Sequence, residues 1–346
     1  MKLLSTTIGA YPKPSYLTLP DWFDDLDTTT PTKGWLEALE AMGNAAADIV
    51  YRATHEAVHD QVNAGIDIPT DGEIARENYV HYHCRHLHGI DFGELTERSV
   101  RTGNYTSFLP TVRGPISARG LFLADDWKRA QAATSRPVKM TMPGPLTVAD
   151  TVADAHYGDM DAFGRDLAAA LNKEVHALAD AGCQHIQIDE PLFARYPERA
   201  LDYGLENLER AFHKCPKNVT RTVHICCGYP NRIDAEHYPK APLDSYWKIA
   251  KSIDESTIMA VSLEDAHRYN DLALLEQFEK TTIILGVVAI AKSRVEPVEE
   301  IRWRLQEALE HIDSHRLIAA PDCGLGILGR DLARTKLRHL CQACSW

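Results

Sequence analysis

The residues of this chain best suited to chemistry lie in three short segments far apart in sequence. They are Thr-Val-His-Ile-Cys-Cys ending at Cys227, Val-Ser-Leu-Glu-Asp ending at Asp265, and Ala-Pro-Asp-Cys-Gly ending at Gly324. His224, Cys226, Glu264 and Cys323 supply one imidazole, two thiols and a carboxylate, a donor set suited to Zn²⁺. The carboxylate is the ligand most easily displaced, so such a site can admit an outside thiol and activate it. A structural zinc site is more often closed by four Cys or His ligands. Taken singly, a cysteine is usually a small buried hydrophobe and a strand-end histidine a hydrogen-bonded core residue. The coincidence of four such residues at strand ends is what points to a metal.

Those strand ends belong to a regular pattern. Short β-branched runs alternate with longer helical ones, the mark of a parallel sheet with crossover helices. Strands are expected at 3–8, 66–70, 138–142, 185–188, 219–225, 258–263, 282–288 and 317–320, with helices near 45–64, 161–181, 202–213, 243–253, 270–278, 296–312 and 329–342. Eight strands with intervening helices predict an α/β fold of the (β/α)8 TIM barrel type, one domain over residues 1–346.

His224 and Cys226, two apart on an extended strand, share a side, and Cys227 faces the other. Glu264 and Cys323 lie just past the sixth and eighth strands, so all four ligands converge on the C-terminal mouth, where barrel active sites sit. Residues 11–44 and 75–135 break the alternation and read as long insertions after strands 1 and 2, expected on that same face. The segment between Cys226 and Glu264, with its Gly-Tyr-Pro-Asn and His-Tyr-Pro-Lys-Ala-Pro runs, is a further candidate for shaping the pocket. The Cys-x-x-Cys of Cys341 and Cys344 has no second pair and no strand before it, and is a weak motif.

Composition narrows the partners. With 346 residues, 45% of them hydrophobic, the chain can bury a large core. A net charge of −12 argues against a nucleic-acid partner, which needs clustered Lys and Arg. No apolar run is long enough for a membrane span, and the apolar run at the N-terminus is too short for a signal peptide. A cytoplasmic protein acting on a small substrate is expected. The eight cysteines follow no small-scaffold disulfide pattern, which leaves them as thiols.

Six motifs, in order along the whole chain, carry a family resemblance. Thr-Thr-Ile-Gly-Ala-Tyr-Pro-Lys-Pro (6–14), Asp-Gly-Glu-Ile-Ala-Arg-Glu-Asn-Tyr-Val (71–80), Met-Pro-Gly-Pro-Leu-Thr (142–147), Ile-Gln-Ile-Asp-Glu-Pro (186–191), Val-His-Ile-Cys (223–226) and Pro-Asp-Cys-Gly-Leu (321–325) resemble the catalytic domain of cobalamin-independent methionine synthase. The resemblance implies a zinc-bearing (β/α)8 barrel, a methyltransferase of methionine biosynthesis that methylates the thiol of homocysteine. Residue by residue, His224, Cys226, Glu264 and Cys323 match the zinc ligands, and Glu73 and Asp189 match the acids that hold the substrate's amino group. Glu264 and Asp189 are the expected catalytic residues. Ile8, Gly9 and Ala10 match the segment that meets the substrate carboxylate. Ala10 stands where the family usually has Ser, which leaves backbone N–H groups for that contact. Full-length members carry a second, non-catalytic barrel before the catalytic one, so the resemblance implies a short, core-type version here.

The family's acid histidine falls at Ala291, and that bears on the methyl donor, because a folate amine leaves only when protonated. The donor is expected to be a methyl-corrinoid, free or carried on a protein, or methyltetrahydrofolate with His267 or Lys292 replacing the histidine. Lys292 and Arg294 alternatively bind an anionic substrate group or are solvated loop cations. A second reading, suggested by relatives of this fold, is alkyl transfer to another thiol such as coenzyme M. A sulfonate acceptor wants cations where an amino acid wants carboxylates, so Glu73 and Asp189 favour homocysteine.

Overall fold

The computed structural model describes residues 1–21, 33–100, 105–230, 232–235 and 238–346; part of the first predicted insertion (22–32) and three positions of the segment after Cys227 lie outside the described residues. The strands are β1 (Leu4–Ser5), β2 (Leu87–Val100), β3 (Tyr105–Ala118), β4 (Lys139–Pro143), β5 (Ala153–Asp154), β6 (His185–Asp189), β7 (Thr220–Ile225), β8 (Ala260–Glu264), β9 (Thr282–Val288) and β10 (Leu317–Pro321). Seven of them form one parallel sheet in the order β1-β10-β9-β8-β7-β6-β4. From β6 to β10, sheet neighbours are also sequence neighbours, joined by helical crossovers, which gives an α/β fold.

The helical patterns of the sequence appear as Ala46–Ala64, Met160–Ala181, Ser245–Glu255, Val298–Ala308 and Arg330–Ala343. Asp159 starts the longest of them, its carboxylate accepting from the N–H groups of Asp161 and Ala162. Two expected helices differ in kind. Residues 272–277 wind as a 3-10 helix, and the 202–213 region is a π turn followed by a short α-helix, Leu205–Ala211.

The expected second strand, 66–70, is the weakest element. It meets Thr6, the residue after β1, through one parallel bridge from Ile68, and β4 through another, Thr70 to Lys139. Pro69 has no N–H to give to a ladder, and side chains take over the bonding. Thr70 N donates to Gln61 Oε1 (2.9 Å) and Thr7 Oγ1 (3.1 Å), while Gln61 Nε2 donates to the carbonyls of Thr70 and Ala57 (both 3.1 Å).

Much of residues 75–135 is a long antiparallel hairpin, β2 with β3, to which β5 adds a parallel edge; the helix Leu123–Gln131 follows. The hairpin escapes sequence reading because register shifts after His88 and Asp91 break its alternation. It closes a separate apolar cluster in which Val80, Cys84, Val112 and Ile116 pack on Val148, Phe163 and Leu167.

The main core lies between the sheet and its helices and includes Val223, Ile225, Leu263 and Leu285. A smaller cluster of Ile8, Ala260, Ile284 and Ala320 fills the other face of the strands. Among the described residues no helix is long and apolar enough to cross a membrane.

Candidate functional site

Strand register builds the site. Asp189 of β6 pairs with His224 of β7, and His224 pairs with Ser262 of β8. Neighbours in a parallel ladder project to the same face, so one row carries a carboxylate, an imidazole and a hydroxyl side by side. Cys226 follows two residues after His224, and Cys323 arrives from just beyond β10.

The ligand atoms of His224, Cys226 and Cys323 lie within 4.8 Å of one another, and they are the group among the described residues able to hold a metal ion. His224 Nε2 is 3.3 Å from Cys323 Sγ, and its Nδ1 is 2.9 Å from Ser262 Oγ. The hydroxyl thus fixes the ring with Nε2 facing the thiols, a usual orienting contact for a metal-binding imidazole. Burial, with the Lys139 ammonium adding to it, pushes the His224 pKa down to about 3 and keeps the ring neutral. Two thiols and a neutral imidazole, held this close, fit a zinc ion.

Glu264 stands beside this group and is not one of its three mutually close members. Its Oε1 accepts from Cys226 Sγ (2.9 Å) and Cys227 N (3.0 Å), and its Oε2 accepts from Lys240 Nζ (2.9 Å). Tyr246, fully buried, supports it from behind by accepting from Glu264 N (3.1 Å) and donating to Ile225 O (2.8 Å). Cys227 faces the main core, where Arg268 donates to its sulfur (3.0 Å).

The two acids matched to the amino group converge. Glu73 Oε1 accepts from Thr141 Oγ1 (2.7 Å) and from Arg76 (3.2 Å). Asp189 Oδ1 accepts from Gln187 Nε2 (2.7 Å). Burial raises both carboxyl groups, Asp189 well above the usual range, and the charge of Glu73 raises Asp189 further. Two buried acids that repel each other gain from an entering cation. Glu73 adopts a left-handed backbone, φ 54°, uncommon for a residue with a side chain, and Asp71 accepts from its N–H at 3.1 Å.

Ile8, Gly9 and Ala10 run between these acids and the thiols. The carbonyls of Ile8, Gly9 and Ala10 accept from Gln187 Nε2 (2.7 Å), Thr70 Oγ1 (2.9 Å) and Leu325 N (2.6 Å). A Cβ at Gly9 would stand 2.8 Å from Glu73 Oε1, so this position must stay bare for the acid to pack against it. Among the described residues the N–H groups of Gly9 and Ala10 have no acceptor.

Several neighbours were invisible in the sequence. Lys240, Ser262 and Tyr246 are ordinary residues there, and only the fold brings them to Glu264 and His224. Tyr79 lies near Asp189, Cys226 and Cys323, whose charges together with burial raise its hydroxyl pKa. It was within a quoted motif but carried no signal of its own. Lys139 is buried with no hydrogen-bond partner for its Nζ among the described residues, and burial lowers its pKa to about 7, against the pull of Asp189. Glu190, next to Asp189, is committed elsewhere. It caps the helix Pro145–Asp150 by accepting from Leu146 N and Thr147 N, both at 3.0 Å.

Of the two candidates for the acid role, His267 and Lys292, the first is held by the backbone after β9. His267 Nε2 accepts from the N–H groups of Ile290 (3.0 Å) and Ala291 (3.1 Å), so this nitrogen carries a lone pair and no proton to give. Burial and the cations Lys240, Lys292 and Lys336 push its pKa down to about 3. His267 therefore anchors the loop after β9. Arg294 is exposed and paired with Glu300, while Lys292 and Arg294 line an outer cavity of about 260 Å³ with Tyr269 and Arg304.

Comparison with known proteins bears on this geometry. Residues 3–345 match the family model described as the catalytic domain of the cobalamin-independent synthase. The methionine synthase of Thermococcus kodakarensis is 29% identical over 341 residues, covering 98% of this chain and 91% of that protein. The solved B12-independent methionine synthase from Shewanella sp. W3-18-1, in complex with selenomethionine, superposes with a TM-score of 0.86 at 30% identity, covering 99% and 97% of the two chains. A Listeria monocytogenes structure described as a putative vitamin-B12 independent methionine synthase shares the fold, with a TM-score of 0.68 at 20% identity over 96% and 98% of the chains.

Proposed function

Because this chain belongs to the cobalamin-independent synthase family as its catalytic domain, we propose that it transfers a methyl group to the thiol of homocysteine, forming methionine. The observation that carries the reading is the union of two sites within one strand row. Asp189 of the acid pair and His224 of the thiol–imidazole group are direct ladder partners.

The proposed metal ligands are His224, Cys226 and Cys323, with Glu264 as the weak fourth. Zinc held there lowers the pKa of a thiol placed beside it, which supplies a thiolate at neutral pH. The protein's own groups do the rest. Glu73 and Asp189 receive the acceptor's ammonium group, and the ion pairs so formed relieve their mutual repulsion. The N–H groups of Gly9 and Ala10 receive its carboxylate. With both ends of the amino acid held, the sulfur is directed toward Cys226 and Cys323. Glu264 Oε1, already an acceptor for the Cys226 thiol at 2.9 Å, is the group placed to take a thiol proton.

The finer architecture belongs to this reading. The sheet closes through residues 66–70 into a (β/α)8 barrel, one domain over 1–346, with the described parts of the excursions after its first two strands standing over the mouth. The bridges of Ile68 and Thr70 to the two outer strands support that closure.

For the donor we propose a methyl-corrinoid, whose departure needs no protonated amine. Ala291 offers no acid, and the His267 nitrogen nearest it is occupied as an acceptor. The test is zinc content together with methionine formation from homocysteine, with methylcobalamin or methyltetrahydrofolate as donor, in wild type and Cys323→Ser. Zinc near one per chain, activity from methylcobalamin and loss of both in the variant is the expected result. Activity from folate alone would overturn the donor assignment. Zinc with neither activity, but with methylation of coenzyme M, would replace the acceptor.

A further inference from the structure

Glu264 is gripped by its two oxygens from opposite directions. Oε1 is turned to Cys226 and Cys227, and Oε2 to Lys240 Nζ at 2.9 Å, in an ion pair whose glutamate side chain is nearly inaccessible and whose lysine side chain is 17% exposed. The lysine comes from the segment between β7 and the helix Ser245–Glu255, whose described residues form no helix or strand.

Its position is nonetheless fixed. Ala241 N donates to Cys227 O at 2.8 Å, and Arg268 ties Ala241 O to Cys227 Sγ. Gly228 lies against the same strap with φ 157°, where a Cβ would come within 2.4 Å of Pro239 O, so only glycine allows the strap to lie down. The ring of Tyr238 sits 4.9 Å from Lys240 Nζ and fills the cation's other side. A buried ion pair of this kind adds little net stability, since desolvation offsets the attraction. Its placement therefore calls for a reason other than stability.

We propose that Lys240 is a positioning residue that holds Glu264 by its outer oxygen and so sets how strongly the carboxylate engages the His224, Cys226 and Cys323 group. This rests on the metal reading above. Lys240 draws carboxylate charge away from the cluster, weakening Glu264 as a ligand and keeping room for the acceptor sulfur. Without the lysine, the buried carboxylate would be left unpaired beside His224, Cys226 and Cys323 and would engage more strongly any metal ion held by them. Metal should then bind more tightly and the acceptor less tightly, a pairing that simple loss of structure does not produce.

The experiment compares wild type, Lys240→Met, Lys240→Arg, Glu264→Gln and the double variant Lys240→Met/Glu264→Gln. Zinc affinity is read by chelator competition without substrate, and homocysteine affinity of the zinc-loaded protein by calorimetry. Lys240→Met is expected to bind zinc about tenfold more tightly and homocysteine about tenfold more weakly, the scale of change seen when a group that holds a metal ligand is altered. Lys240→Arg should lie near wild type, because it keeps the cation. In the Glu264→Gln background the lysine change should have no effect on either affinity.

Unchanged affinities in Lys240→Met, a loss of both, or the same shifts in the Glu264→Gln background would each overturn the proposal. If wild type itself binds neither zinc nor homocysteine, the underlying site reading fails. A wild type that binds both, beside an unaltered Lys240→Met, sinks the lysine's role alone.

Discussion

At the scale of single residues, the site is a set of side chains each made useful by a neighbour. His224 can offer Nε2 to a metal because Ser262 Oγ, 2.9 Å away, holds Nδ1. Ser262→Ala should therefore weaken zinc binding by about 10–100-fold while leaving all three ligands in place. Chelator competition measures it, and an unchanged affinity would mean that the hydroxyl plays no orienting part. Glu73 depends on an absence, since the bare Cα of Gly9 lets its carboxylate pack there. In Gly9→Ala the acid must move, and homocysteine affinity should fall by about tenfold or more, roughly the loss of one charge-assisted hydrogen bond. Calorimetry on a variant shown to be folded checks this; equal affinity would remove Glu73 from the acceptor site.

At the scale of elements, the helix Leu123–Gln131 illustrates how a buried acid serves a helix start. Glu174, 4% exposed, accepts from Phe122 N (3.2 Å) and Leu123 N (3.3 Å). Burial outweighs these two bonds and raises its pKa from 4.5 to about 7. A carboxyl whose folded pKa lies above its unfolded value contributes stability that is fully present below the unfolded pKa and lost as pH rises through the folded one. Glu174→Gln keeps an acceptor and removes the titration. Between about pH 5 and about pH 8, wild type should lose on the order of 2 kcal/mol relative to the variant. Urea midpoints across that range test it, and parallel curves for the two proteins would contradict the assignment.

At the scale of the whole molecule, the least regular join is the one between β1 and β4, across residues 66–70. Backbone pairing there is reduced to single bridges, and the fully buried Gln61 supplies bonds that a ladder otherwise would. Gln61→Leu would leave Thr70 C=O without its side-chain donor, and would leave Thr70 N–H and the Thr7 hydroxyl only their longer contacts with each other's side chains, at 3.1 and 3.4 Å. A stability loss of about 1–3 kcal/mol is expected from the orphaned carbonyl. Its consequence would reach the site, because Thr70 Oγ1 also holds the Gly9 carbonyl at 2.9 Å. Denaturant unfolding reads the first effect and homocysteine titration the second; a variant as stable as wild type would show that the sheet closes without this side chain.

The sequence by itself determined the parts whose physics is local. Short β-branched runs mark β7, β8 and β9, where Val223, Ile225, Val261, Leu263, Ile283 and Leu285 are all nearly inaccessible, and the two-residue spacing of His224 and Cys226 sets both on one face. The six motifs were enough to place the chain in its family. Tertiary structure alone decided what depends on residues distant in sequence. It set Lys240 against Glu264 and His267 beneath the Ala291 backbone, and it placed Ser262 next to His224 through register. It also paired β2 with β3, whose shifted register hides their period. Local patterning reports which face a residue takes; it does not report which distant residue shares that face, because that follows from strand register and loop path, which the packing of the whole chain selects.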